Sequence, residues 1–233
     1  MNKTKIEWTD FTWNPVTGCW GPGGMAEKPN RCAYCYAQKI ANRFHSEPAD
    51  DYYGSKKPDS FTPHFWPHRL PGPAKVKKPS KIFVCSMGDL FGGWVPSPWI
   101  FAVLKVAKDT PHHVFQFLTK NPKRLQAYNG FWSANCWVGT TVTNQADADE
   151  RLHWLTMAEA SVYFVSHEPL LGNIDVRPWF PRGLNWAIIG AMTGPGAVEY
   201  KTAWLQSLID QYRAAGVPVF LKDNLKWPEK IQE

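Results

Sequence analysis

From residue 81 onward the chain repeats one pattern: KIFVCS at 81–86, VFQFLTK at 114–120, CWVGTTV at 136–142, VYFVSH at 162–167, WAIIGA at 186–191 and PVFLK at 218–222. Each run is short, apolar and rich in β-branched or aromatic residues, as a buried strand is. Helix-length segments follow at 98–109, 122–128, 146–158 and 202–215, with Pro98 near the first turn of the first; a loop follows 167. Strands alternating with helices imply βαβ units and a parallel sheet. One more strand ahead of Cys19 gives six or seven units. That number suits a doubly wound sheet or an open barrel, and the expected fold is α/β, a partial (β/α)6-type TIM barrel.

Polar residues collect just past the carboxyl ends of these runs: Cys19; Ser86, Gly88 and Asp89; Thr119 and Lys120; Thr143 and Asn144; His167 and Glu168; Thr193; Lys222 and Asp223. In barrels and open α/β sheets those ends build the site. Pro169 pushes Glu168 toward an extended backbone. Lys120 and Arg124 are candidates to hold a phosphate or carboxylate. Lys222 and Asp223 either line the pocket or pair with each other. His112 and His113, ahead of a strand, read as surface residues.

The 233 residues fit a single domain spanning 1–233. At 44% hydrophobic the chain can build a large core without cysteine staples. The polar start and the absence of a long apolar run argue against export or a membrane span, so the expected location is cytoplasmic. A net charge of +6 and thirteen tryptophans are compatible with a nucleic-acid partner, although core packing is the commoner use of tryptophan. An insertion rich in proline and lysine, at about 45–80, resists both helix and central strand. Irregular segments of that length often serve a site.

Five cysteines without an export signal point away from a disulfide framework. Three of them, Cys19, Cys32 and Cys35, have the spacing C-x12-C-x2-C, and helix 36–44 follows at once. Three thiolates can hold three irons of a [4Fe–4S] cluster and leave the fourth iron open to S-adenosylmethionine. A zinc site is the rival, since C-x2-C is also half of a zinc knuckle. Its fourth ligand would come singly from Cys85, Cys136 or His45. Cys85 and Cys136 lie inside apolar strands and read as core thiols.

With its Cys32-Ala33-Tyr34-Cys35 ending, the chain resembles the radical S-adenosylmethionine (radical SAM) superfamily, although most members have three residues between the first two cysteines, not twelve. It is most similar to the phage-associated three-cysteine radical proteins, through TKIEWTD at 4–10, TWNPVTGC at 12–19, SMGDLF at 86–91, LTKNP at 118–122, HEPLLG at 167–172 and GPGA at 194–197. The resemblance extends distantly to the spore photoproduct lyases, radical enzymes that act on DNA. It implies an N-terminal iron–sulfur cluster loop carrying Cys19, Cys32 and Cys35, with S-adenosylmethionine as cofactor and an external electron donor as partner. It implies cofactor contacts from Tyr34, Gly88, Asp89, Thr143, Asn144 and Glu168, and catalytic roles for Asp89, Lys120 and Glu168. Where the family commonly has Gly-Gly-Glu-Ser-Gly-Pro-Gly-Ala-Arg, this chain carries Met192 for the glutamate and Val198 for the arginine. The implied substrate is a nucleotide or nucleic-acid base. Two other readings stand beside the radical enzyme: a zinc-stabilised nucleic-acid-binding module, and a member that binds cluster and cofactor without turnover.

Overall fold

The computed structural model describes residues 1–44, 60–194 and 196–233. In chain order the elements are β1 (Asn2–Lys3), β2 (Phe11–Trp13), β3 (Val16–Thr17), α1 (Tyr36–Phe44), β4 (His64–Phe65), β5 (Lys81–Val84), α2 (Ser97–Asp109), β6 (Val114–Thr119), β7 (Cys136–Thr141), α3 (Gln145–Leu155), β8 (Val162–His167), β9 (Leu184–Ile189), α4 (Thr202–Ala214) and β10 (Val219–Leu221). Strands β1-β2-β5-β6-β7-β8-β9-β10 form one sheet in that order. Every pairing in it is parallel except β1 with β2. A doubly wound sheet reverses its strand order at a switch point; this order never reverses, which removes that alternative.

The expected strands fall within a few residues of their positions in the sequence. The 122–128 segment is a 3-10 helix, Pro122–Tyr128, and another, Arg177–Arg182, occupies the stretch read as loop between β8 and β9. Part of the 45–80 insertion, 45–59, lies outside the described residues. The remainder holds β4, which pairs antiparallel with β3, and two 3-10 turns, Pro67–Arg69 and Pro73–Lys75. His113 is not the surface residue the sequence suggested. It is buried, and its Nε2 lies 3.1 Å from the carbonyls of both Pro73 and Val76.

The two faces of the sheet carry two cores. Ile82, Val84, Phe115, Phe117, Val138, Val165, Ala187, Ile189, Val219 and Leu221 face the helices in the large core. Phe83, Phe164, Trp186, Ile188 and Phe220 alternate with them and face the other way, around Trp8. The period of two along each strand makes this division. The Trp8 ring lies 4.7 Å from Phe83, 6.4 Å from Phe164 and 6.3 Å from Trp186. Gly139, also on this face, leaves room for Phe164: a Cβ there would meet its ring at 2.7 Å.

One short segment shows that the sheet curls. Asp10 N donates to Lys81 O at the start of β5, and Asp223 N, just past β10, donates to Glu7 Oε2. In a flat sheet β5 and β10 would stand about 24 Å apart, at about 4.8 Å per strand. Three residues of chain reach at most about 11 Å. The sheet therefore wraps around residues 6–10, with Trp8 as its filling. Among the described residues no helix is long and apolar enough to cross a membrane.

Truncating this filling should be costly. Trp8→Ala is expected to lower unfolding free energy by about 3–5 kcal/mol, read as a lower urea midpoint at an unchanged slope. Met157→Ala, at a residue 49% exposed, should stay within about 0.5 kcal/mol of the parent.

Candidate active site

A cavity of ≈ 430 Å³ opens at the carboxyl ends of the parallel strands. Cys19, Cys32 and Cys35 line it together with Tyr34, Ser86, Gly88, Asp89, Thr119, Lys120, Glu168, Thr193 and Lys222. The cavity thus brings most of the strand-end residues together. Trp8 and Phe83 also line the cavity, so the filling of the curled sheet is also a cavity wall.

The loop bearing Cys19 is fixed by close backbone approach. Gly18 N donates to Met87 O at 2.8 Å, and Cys19 N to Phe61 O at 3.0 Å. A Cβ on Gly18, at φ +81°, would meet Thr62 O at 2.3 Å, and one on Gly88 would meet Gly18 O at 2.8 Å. Asn14 Oδ1 accepts from Met87 N at 2.9 Å and from Ser86 Oγ at 3.2 Å. Backbone N–H groups point at two of the sulfurs: Gly21 N at Cys19 Sγ, 3.2 Å, and Gln38 N, in the first turn of α1, at Cys35 Sγ, 3.4 Å. Burial, then the Asp89 carboxylate, push the Cys19 thiol up to about 12. A thiol so placed is a poor nucleophile, and a bound cation is what would draw off its proton. All three are partly exposed, whereas Cys85 and Cys136 are buried; Cys85 nonetheless lines the cavity. Among the described residues no three His, Cys, Asp or Glu side chains form a ligand set for a single metal ion.

Asp89 is heavily engaged. Its Oδ1 accepts from Thr119 Oγ1 at 2.7 Å and Phe91 N at 3.0 Å, and its Oδ2 from Lys120 N at 2.9 Å. Three of roughly four acceptor positions are therefore used. Lys120 Nζ stands 5.7 Å over the Tyr34 ring. The Tyr34 hydroxyl is raised above its ordinary value by burial first and the nearby Cys32 second. Glu168 pairs with Lys222, Oε1 to Nζ at 2.7 Å, and its Oε2 accepts from Ser166 Oγ at 3.2 Å. Gly190 makes room for that pair: a Cβ there would meet Lys222 Cδ at 3.0 Å and Glu168 Oε1 at 3.1 Å.

Several candidates are not brought to the cavity. Thr143 and Asn144 are used by the start of α3. The Thr143 backbone N–H and hydroxyl both donate to Asp147 Oδ2, at 2.9 and 2.7 Å, and Asn144 Oδ1 caps Asp147 N at 3.0 Å. Arg124 donates to the carbonyls of Gly92 and Val95. Asp223 does not pair with Lys222; its Oδ1 faces Lys230 Nζ at 3.7 Å. His167 is fully buried between Val142 O and the Tyr212 hydroxyl, each at 2.8 Å. Met192 lines the cavity, while Val198 is 55% exposed and lies outside it. Sequence reading missed Trp8, Tyr36 and Asn224. Tyr36 directly follows Cys35, and its hydroxyl donates to Ser86 O at 2.6 Å. Asn224 accepts from Ala191 N at 3.1 Å and donates to Ala191 O at 3.0 Å, fixing the loop after β9.

Fold and site define an α/β protein with a mostly parallel sheet and a thiol-lined cavity at its strand ends. The chain belongs to the family described as "Protein of unknown function (DUF5131)", which it matches over residues 3–232. No curated protein matches it. Among solved structures it is similar to spore photoproduct lyase complexed with dinucleoside spore photoproduct, with TM-score 0.59 at 11% identity over 95% of this chain and 79% of that one. A cysteine-to-serine mutant of spore photoproduct lyase gives TM-score 0.57 at 12% identity, over 95% and 79%. A double mutant of the same lyase with bound AdoMet and dinucleoside spore photoproduct gives 0.52 at 11%, over 91% and 63%. At such identities the likeness is one of fold.

Burial holds the His167 ring well below its ordinary value, at about 4. Above pH 6.5 both folded and unfolded states carry it neutral. As pH falls the unfolded chain takes up the proton first, so stability declines from 6.5 to about 4 and then levels. The loss is about 3 kcal/mol. Urea midpoints across that range should fall more steeply for the parent than for His167→Gln; equal slopes would refute the assignment.

Proposed function

We propose that this protein is a radical S-adenosylmethionine enzyme in which Cys19, Cys32 and Cys35 hold a [4Fe–4S] cluster. The observation that carries the reading is the convergence of these three partly exposed thiols on one strand-end cavity. The remaining two cysteines stay buried. When bound, the cluster would supply an electron to the sulfonium of S-adenosylmethionine and so start radical chemistry. The N–H groups of Gly21 and Gln38 point at the Cys19 and Cys35 sulfurs. Zinc fits less well, because a zinc site needs ligands around one point and no such set is present among the described residues.

In this reading Asp89 uses its remaining acceptor position for the cofactor ammonium. Gly88 lets the Cys19 loop lie against the end of β5, and Tyr34 offers its ring edge to the adenine. Lys120 and the Glu168–Lys222 pair face the substrate. Thr143 and Asn144 act indirectly, by setting the start of α3. The unreversed strand order and the curl around Trp8 support a partial (β/α)6-type barrel with an N-terminal cluster loop, spanning 1–233 as a single domain. Shared segments along the chain support a place beside the phage-associated three-cysteine radical proteins. The dinucleoside and AdoMet carried by the fold relatives support a nucleotide or nucleic-acid base as substrate and S-adenosylmethionine as cofactor. The electron would come from an external donor, and the reading places the protein in the cytoplasm.

Protein prepared without oxygen should bind about four irons per chain. Its reduced electron paramagnetic resonance signal should shift on adding S-adenosylmethionine. Cys19→Ala, Cys32→Ala or Cys35→Ala should each abolish the signal, and Cys136→Ala should retain it. Stoichiometric zinc under iron-replete conditions would overturn the proposal.

A further inference from the structure

The described part of the insertion, 60–80, carries Arg69, Lys75, Lys77 and Lys78 and not one Asp or Glu. Like charges gathered this way repel one another, and nothing in the cavity chemistry above makes use of them. Among the described residues, none of Arg69, Lys75, Lys77 or Lys78 has a carboxylate partner.

The backbone beneath these cations is pinned. Three-residue turns run along it: Arg69 N to Trp66 O at 3.0 Å, Gly72 N to Arg69 O at 3.1 Å and Lys75 N to Gly72 O at 3.3 Å. Arg69 and Lys75 both lie near enough to the Met1 ammonium to lower its pKa, after burial, so the two cations gather on the same part of the surface. Trp13 Nε1 donates to Arg69 O at 2.8 Å, and the buried His113 ring holds the Pro73 and Val76 carbonyls. The Arg69 guanidinium lies 4.4 Å over the Trp66 ring and donates to Asn14 O at 3.1 Å. Beyond Val76, Lys77 and Lys78 are exposed. The segment is thus a fixed rail of cations. The segment begins beside the cavity, where Thr17 pairs with His64 two residues before Cys19 and Phe61 lines the wall, and runs from there to the amino ends of β5 and β6, where His113 holds the Pro73 and Val76 carbonyls.

We propose that residues 66–78 form a docking surface for a nucleic-acid backbone, with phosphates on Arg69, Lys75, Lys77 and Lys78. The inference goes beyond the reading of the cavity: the surface runs to the amino ends of β5 and β6, so it would hold a polymer alongside the sheet and not inside the strand-end site. A chain of phosphates fits a row of separated cations better than one free anion does. An anionic membrane fits worse, because the segment has no exposed large hydrophobic residue to insert.

The test is fluorescence anisotropy with a labelled DNA oligonucleotide, single-stranded and as a duplex, on protein with and without bound iron. Binding to either form is expected with or without iron, so failure of the cluster reading leaves this result standing. Changing Lys75, Lys77 and Lys78 together to alanine should weaken binding about tenfold or more and flatten the dependence of log affinity on log salt by about 2 for the single strand. The triple arginine variant should keep parental binding, which separates lost charge from lost structure. Unchanged affinity in the alanine variant would overturn the proposal, as would binding to phosphatidylserine vesicles with none to either DNA.

Discussion

The structure depends on the placement of residues 6–10 inside a curled sheet. A parallel sheet in unreversed order covers one face with its own crossover helices and leaves the other face apolar and bare. Here that face carries Phe83, Phe164, Trp186 and Phe220, and the Trp8 indole reaches three of them. The segment crosses from the foot of β5 to the end of β10 and is bonded at both. It sets how tightly the sheet closes, and hence how wide the strand-end cavity is. The same residue that completes the inner core is also a wall of that cavity, so fold and site share an energy term.

The cysteine loop is attached to this frame by backbone rather than by side-chain packing. A Cβ on Gly18 would meet the Thr62 backbone and one on Gly88 the Gly18 backbone, so neither is tolerated, and Asn14 ties the turn after β5 to the turn before Cys19. Such an arrangement presents Cys19 at a fixed height above the strand ends while leaving its sulfur without a covalent partner. Burial and Asp89 keep that thiol protonated when nothing is bound. The site is therefore poised for a cationic guest and is poorly suited to act as a free nucleophile.

The strands, the parallel sheet and the strand-end site were legible because buried strands need continuous apolar runs and because polar residues at their ends have few other causes. The sharing of labour among those ends was not legible. Asn144 and Thr143 are ordinary cap residues that happen to follow a strand, and His167 lies one residue on the core side of Glu168, so its ring joins Tyr212 in the core. Period alone could not tell a curled sheet from a doubly wound one, because strand order depends on which strands pair and leaves no local pattern. Trp8 carried only the signal of a tryptophan close to the chain start. His113 was misread because a histidine ahead of a strand looks exposed until the segment it anchors is known.

Both carboxylates of the cavity are already occupied. Asp89 accepts from three donors and Glu168 is held by Lys222 and Ser166. A carboxylate used for proton transfer is kept free of such partners, and neither of these is. Met192 lines the same wall and brings no charge to it. What remains suits binding, orientation and the exclusion of water: an aromatic floor at Trp8 and Phe83, a thioether at Met192, and an ion pair whose geometry Gly190 protects. In the proposed reading that division is consistent, since the reactive species comes from the cofactor and the protein's part is to hold one substrate atom within its reach while keeping competing donors away.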